Sequence, residues 1–137
     1  MRRRILLAAL ISLGLACGAR ADATSPDAFA GHWRQVSSSA GRCATCTLTV
    51  SRDGTRYFVV ASNGWEAQAR RVPAAGLSAF AGDGRWERSP PRIDAGRRVA
   101  AHFVVDDGQL HLLLILTRPD GTPWRVLAVF EREVPVG

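Results

Sequence analysis

Four dipeptides, Asp53-Gly54, Asn63-Gly64, Asp107-Gly108 and Asp120-Gly121, punctuate a chain of 137 residues and constrain its fold more than any other feature. A two-residue type I′ turn needs positive φ at both central positions, which Asn, Asp and Gly tolerate, and its twist matches that of paired strands. Between these turns lie short runs rich in Val, Leu, Thr, Phe and Tyr. Strands are expected at about 31–37, 45–52, 55–62, 65–72, 76–81, 85–89, 97–106, 109–118 and 123–132. Gly82-Asp83-Gly84 reads as a looser fifth turn, and Asp94-Ala95-Gly96, after Pro90-Pro91, ends a longer connection. Only 72–80 leaves room for a short helical turn. Strands joined by tight hairpins are antiparallel neighbours. The expected fold is all-β, an antiparallel up-and-down meander of eight or nine strands, and closing it into a small barrel removes both exposed edges.

Two-residue turns also predict register. Around Asp107-Gly108, Val105 pairs with Leu110, Phe103 with Leu112, and Ala101 with Leu114. Around Asp120-Gly121, Leu112 pairs with Val129 and Leu114 with Leu127. One face of this three-stranded unit then carries Val99, Ala101, Phe103, Val105, Leu110, Leu112, Leu114, Leu116, Leu127 and Val129. Two independently placed turns put these aliphatics on one face, as a buried surface requires. The other face carries His102, Val104, His111, Leu113, Ile115, Val126, Ala128 and Phe130. A face so mixed implies cover by another segment, a partner chain or lipid. In the first hairpins Val50 pairs with Tyr57, Leu48 with Val59, Val59 with Gln68, and Tyr57 with Arg70, which leaves the inner face undecided.

The beginning of the chain points to export. Met1-Arg2-Arg3-Arg4 is a basic start, Ile5 to Ala16 is uncharged and apolar, and Ala19-Arg20-Ala21 places small residues where a signal peptidase reads. The apolar run is too short for a permanent transmembrane helix. Residues 1–21 are expected to be a signal peptide, 22–30 a flexible leader, and 31–134 a β-barrel domain. Leu13-Gly14-Leu15-Ala16-Cys17 offers a second outcome, lipidation of Cys17, although Gly14 stands where such a motif usually has Leu, Val or Ile. The expected location is the periplasm or the exterior, or a membrane facing the periplasm through that anchor.

Four of the 18 basic residues, Arg2, Arg3, Arg4 and Arg20, fall in the signal segment. The remaining 14 arginines face 12 acidic residues, so the net charge drops from +6 to +2. That balance is no signature of nucleic-acid binding. Cys43 and Cys46 then form an even pair in an oxidising compartment, expected as a disulfide closing a tiny loop. A redox role for Cys43-Ala44-Thr45-Cys46 would need a helix N-terminus, whereas Thr47-Leu48-Thr49-Val50 reads as a strand.

His102 and His111 fall on one face as diagonal neighbours, without a carboxylate or thiol to complete a metal site. Asp106, Asp107 and Asp120 have conformational work in turns. No nucleophile–base arrangement or phosphate loop stands out, so neither catalytic residues nor a cofactor or metal are expected. Trp65, Trp86 and Trp124 lie near turns, where they would cap the barrel ends, rim a pocket or make an interface.

Phe29-Ala30-Gly31-His32-Trp33 opens the domain, and its Gly31-His32-Trp33 strand start resembles the lipocalin-like (calycin) barrels. The resemblance covers the meander loosely and one short motif specifically. It implies that Trp33 closes one barrel end and packs against Arg132 at the end of the last strand, a cation–π contact. The chain lacks the length, C-terminal helix and other motifs of true lipocalins. The expected function is a non-enzymatic binding module for an apolar small molecule, with Phe103, Leu112, Leu114 and Leu127 lining the pocket. The alternatives are an inhibitor or immunity protein that binds an envelope protein, and a structural envelope protein that dimerises through its mixed outer face.

Overall fold

The computed structural model describes residues 27–87 and 97–134. The segment 1–21, Cys17 and residues 22–26 lie outside the described residues. Eight strands follow in chain order: β1 (Gly31–Ser38), β2 (Thr47–Asp53), β3 (Arg56–Ala61), β4 (Trp65–Val72), β5 (Ser78–Trp86), β6 (Arg97–Asp106), β7 (Gln109–Thr117) and β8 (Pro123–Arg132). Each pairs antiparallel with its neighbour, and β1 also pairs with β8, closing the barrel. The described residues contain no helix. The 72–80 stretch turns through Ala74–Leu77 instead, where the Leu77 amide donates to the Ala74 carbonyl at 3.3 Å.

The β6–β7 hairpin has the register that its turn predicts, with Val105 opposite Leu110, Phe103 opposite Leu112 and Ala101 opposite Leu114. Asp107 and Gly108 both adopt positive φ, at 47° and 74°, as a type I′ turn demands.

The β7–β8 register differs from expectation by one residue. Leu112 faces Ala128, Leu114 faces Val126 and Leu113 faces Leu127. The connection is Arg118–Thr122 rather than Asp120-Gly121 alone. The Arg118 amide donates to the Thr122 carbonyl, and Asp120 Oδ1 accepts from the Thr122 amide and hydroxyl. Because side chains alternate along a strand, a slip of one residue reverses every side chain. Val126, Ala128 and Phe130 therefore point inward, while Leu127 and Val129 join the outer face.

The first hairpins slip as well, by two residues at β2–β3 and by one at β3–β4. The β2–β3 loop is Gly54-Thr55, so Val50 faces Val59 and Leu48 faces Ala61. That slip is of even length and leaves the inner face intact. The β3–β4 loop takes in Ser62, Asn63 and Gly64, which sets Tyr57 opposite Ala69 and Val59 opposite Ala67. The inner face of this half is thereby decided: Leu48, Val50, Tyr57, Val59, Ala61, Trp65, Ala67 and Ala69 are buried.

Gly82-Asp83-Gly84 makes no turn. It lies inside β5, which fuses the expected strand at 76–81 with the first residues of that at 85–89, and residues 88–89 lie outside the described residues. A Cβ on Gly82 would collide with the Gln68 carbonyl, and one on Gly84 with the Glu66 carbonyl. These glycines serve close approach of the β4 and β5 backbones, a recognised use of glycine within strands.

Candidate functional site

The two barrel ends differ in chemistry. One carries the β2–β3, β4–β5 and β6–β7 turns and the start of β1, and it is plugged by the chain itself. Residues 27–30, expected as the end of a flexible leader, fold under the barrel. Asp27 Oδ1 accepts from the Phe29 and Ala30 amides at 2.8 and 3.0 Å, an Asx-type turn that aims Phe29 inward. Phe29 is 0% exposed. Its ring stacks on Phe80 at 4.3 Å between centroids and meets Tyr57 and Phe103 at 5.1 and 5.0 Å. Phe103, expected to line a pocket, is thus sealed in the aromatic cluster beneath the plug.

Trp33 and Arg132 face each other across the closing β1–β8 pair, with the guanidinium carbon 4.3 Å from the indole centre. Arg132 donates to the backbone carbonyls of Ala30 at 2.6 Å, Ala28 at 2.8 Å and Asp27 at 3.3 Å. Trp33 Nε1 donates to the Phe29 carbonyl at 2.9 Å. Asp27 Oδ2 accepts from Tyr57 Oη and Arg52 Nη1, each at 3.0 Å. Partial burial pushes the Asp27 carboxyl up, but its bonds from the Ala30 and Phe29 amides, Tyr57 and Arg52 outweigh this and hold it below the ordinary carboxylate value. Burial, and then the bond to Asp27, push the Tyr57 hydroxyl up.

The opposite end carries the β1–β2, β3–β4 and β7–β8 loops and opens into a cavity of about 210 Å³. Its inner wall comprises Leu48, Leu112, Leu114, Leu116, Val126, Ala128 and Phe130, and its mouth comprises Trp65, Trp86, Trp124, Gln35, Asn63 and the 40–43 segment with Cys46. All three tryptophans noted in the sequence gather here. Leu112 and Leu114 line the cavity, as expected. Leu127 does not; it is 62% exposed on the outer face, because the β7–β8 slip reversed it.

Cys43 and Cys46 sit at disulfide distance in the rim, with Cα atoms 5.4 Å apart. The rim is tied down at its flanks. The Gln35 amide donates to the Cys46 carbonyl at 2.9 Å, the Thr47 amide to Ser62 Oγ at 2.9 Å, and Ser39 exchanges bonds with the Leu127 backbone at 2.8 and 2.9 Å. Sequence reasoning missed the places of Arg42, Gln35 and Asn63 at this mouth, because nothing local marks Arg42 or Gln35 and Asn63 reads only as a turn residue.

The outer face of β6–β8 and the end of β1 form a groove of about 520 Å³ along His102, Val104, His111, Leu113, Leu127 and Val129. His102 and His111 are diagonal across the β6–β7 pair. No group of three His, Cys, Asp or Glu able to hold a metal occurs among the described residues. His32 lies apart, 3.3 Å from Thr49 Oγ1.

Comparison of the chain with protein-family models, with curated proteins and with solved structures finds no match. Its geometry and sequence therefore carry the functional reading.

Proposed function

We propose that this protein is an exported, non-enzymatic binding module, a small lipocalin-like barrel that takes an apolar small molecule into its tryptophan-rimmed end. The cavity carries this reading, since ligand sites are concave, mostly apolar and furnished with a few polar groups. The closed eight-stranded meander and the Trp33–Arg132 contact at the plugged end support the lipocalin-like assignment. The volume sets the scale of the guest. An apolar cavity of roughly 150 Å³ accepts benzene, so about 210 Å³ suits a ring with a short side chain.

Titration of the secreted form with ethylbenzene, followed by tryptophan fluorescence, tests the proposal. Saturable binding is expected, and Leu112→Trp, which fills the cavity, is expected to abolish it while the barrel stays folded. Binding that survives Leu112→Trp would place the guest elsewhere and defeat the reading.

A second reading, contact with an envelope protein or a second copy of the chain, draws on the outer groove, where Leu127 stands in solvent beside Leu113 and Val129. Exposed apolar patches of this kind mark contact surfaces. Sedimentation at high protein concentration, with Leu127→Glu as comparison, separates the two copies' association from an unpaired monomer.

A further inference from the structure

We propose that the guest is a small amphiphilic monoanion, with its apolar body in the barrel and its carboxylate against Arg42 at the mouth. The inference rests on the binding reading above and adds the chemical class of the ligand. It begins with the polarity of the lining. Arg42 is the one charged side chain among the described residues that line the cavity, and no Asp or Glu is found there. Arg42 makes no hydrogen bond or ion pair with any described residue, whereas Arg52 and Arg132 are each committed to the plugged end.

The remaining polar side chains at the same end reinforce the sign. Gln35 and Asn63 bring amide donors, and Ser38, opposite the inward-facing Ala128, brings a hydroxyl that donates or accepts. Such a rim can satisfy a carboxylate and offers no anionic partner for an ammonium group. Below the rim the wall is wholly apolar, with Leu112, Leu114, Leu116 and Phe130 among its residues. A charge placed there would lose its hydration without compensation. The cavity thus orients an amphiphile one way only, tail inward and anion outward.

Size narrows the class further. At the density of benzene in a cavity of roughly 150 Å³, about 210 Å³ holds about eight apolar carbons. An arylalkyl body also matches the aromatic rim, since ring–ring contacts add to plain area burial. 3-Phenylpropanoate carries an ethylbenzene body of that size and a single carboxylate, and 3-phenylpropanamide is its neutral counterpart of nearly the same shape.

Calorimetric titration of the full secreted chain with both compounds, in wild type, Arg42→Gln and Arg42→Lys, tests the inference. Wild type is expected to bind the carboxylate about tenfold more tightly than the amide, as a charge-assisted hydrogen bond implies. Arg42→Gln is expected to lower carboxylate affinity to the level of the amide and so erase that preference, and Arg42→Lys to keep part of it. Equal affinities in wild type, or a preference that survives Arg42→Gln, would overturn the anion assignment while the cavity reading stands. Absence of binding by both compounds and by ethylbenzene would overturn the two together.

Discussion

The guanidinium of Arg132 lies 4.3 Å from the centre of the Trp33 ring, on the strand pair that closes the barrel. The same side chain serves three backbone carbonyls of the segment that carries Phe29. One residue therefore joins the last strand, the first strand and the plug.

Arg132→Ala is expected to lower stability by about 1–3 kcal/mol, through lost cation–π contact and unsatisfied carbonyls. Arg132→Lys is expected to recover less than half, because a single ammonium cannot reproduce a planar fork that spans three acceptors. Urea denaturation midpoints of the three proteins check this, and a Lys variant as stable as wild type would contradict it.

The inward and outward assignments on β7 and β8 are separable by truncation. Leu112→Ala, inside the barrel, is expected to cost about 2–5 kcal/mol. Leu127→Ala, on the solvent face, is expected to stay within about 0.5 kcal/mol of wild type. Chemical denaturation of both variants gives the answer, and a large cost at Leu127 as well as at Leu112 would restore the register that a two-residue Asp120-Gly121 turn implies.

Asp27 predicts an acid-side loss of stability. Its carboxyl titrates below the ordinary value of 3.8 because of the amide, Tyr57 and Arg52 bonds. Folding therefore favours the charged form. The stability it contributes is complete above the unfolded value and is lost as pH falls through the folded one. Asp27→Asn should be less stable than wild type at neutral pH and show a shallower decline below about pH 4. Thermal unfolding measured from pH 2 to 7 compares the two slopes, and parallel curves would count against the assignment.

Gly82→Ala should be severely destabilising although alanine is small and the strand geometry ordinary. Its Cβ would occupy the place of the Gln68 carbonyl, so β4 and β5 must separate. A cost of about 3 kcal/mol or more is expected, at the upper end for overpacking. Circular dichroism during urea unfolding checks it, and near-wild-type stability would show that the two backbones have room to part.

Much of the barrel was legible locally. Asp107-Gly108 specified both its turn and the register of β6 on β7, because positive φ at two adjacent residues leaves few alternatives. The all-β meander followed from turn spacing, and the closed order of eight strands agrees with it. Asp120-Gly121 carried the same signal and misled. Asp120 there caps Thr122 within a longer loop, and one added residue reversed Leu127 and Phe130. Gly82-Asp83-Gly84 misled for another reason, since glycine marks close backbone approach as readily as it marks a turn.

The sequence by itself determined the strand content, the antiparallel order and the Cys43–Cys46 proximity. These depend on local backbone preference and short chain distance. Only the tertiary structure decided which end is open. Phe29 seals one end because Asp27, Tyr57, Arg52 and Arg132, up to 105 positions apart, converge on its turn. Trp65, Trp86, Trp124 and Arg42 meet at the other because barrel closure brings the ends of β4, β5 and β8 and the β1–β2 loop to one rim. Such convergence is a property of closure, and no local pattern in the chain encodes it.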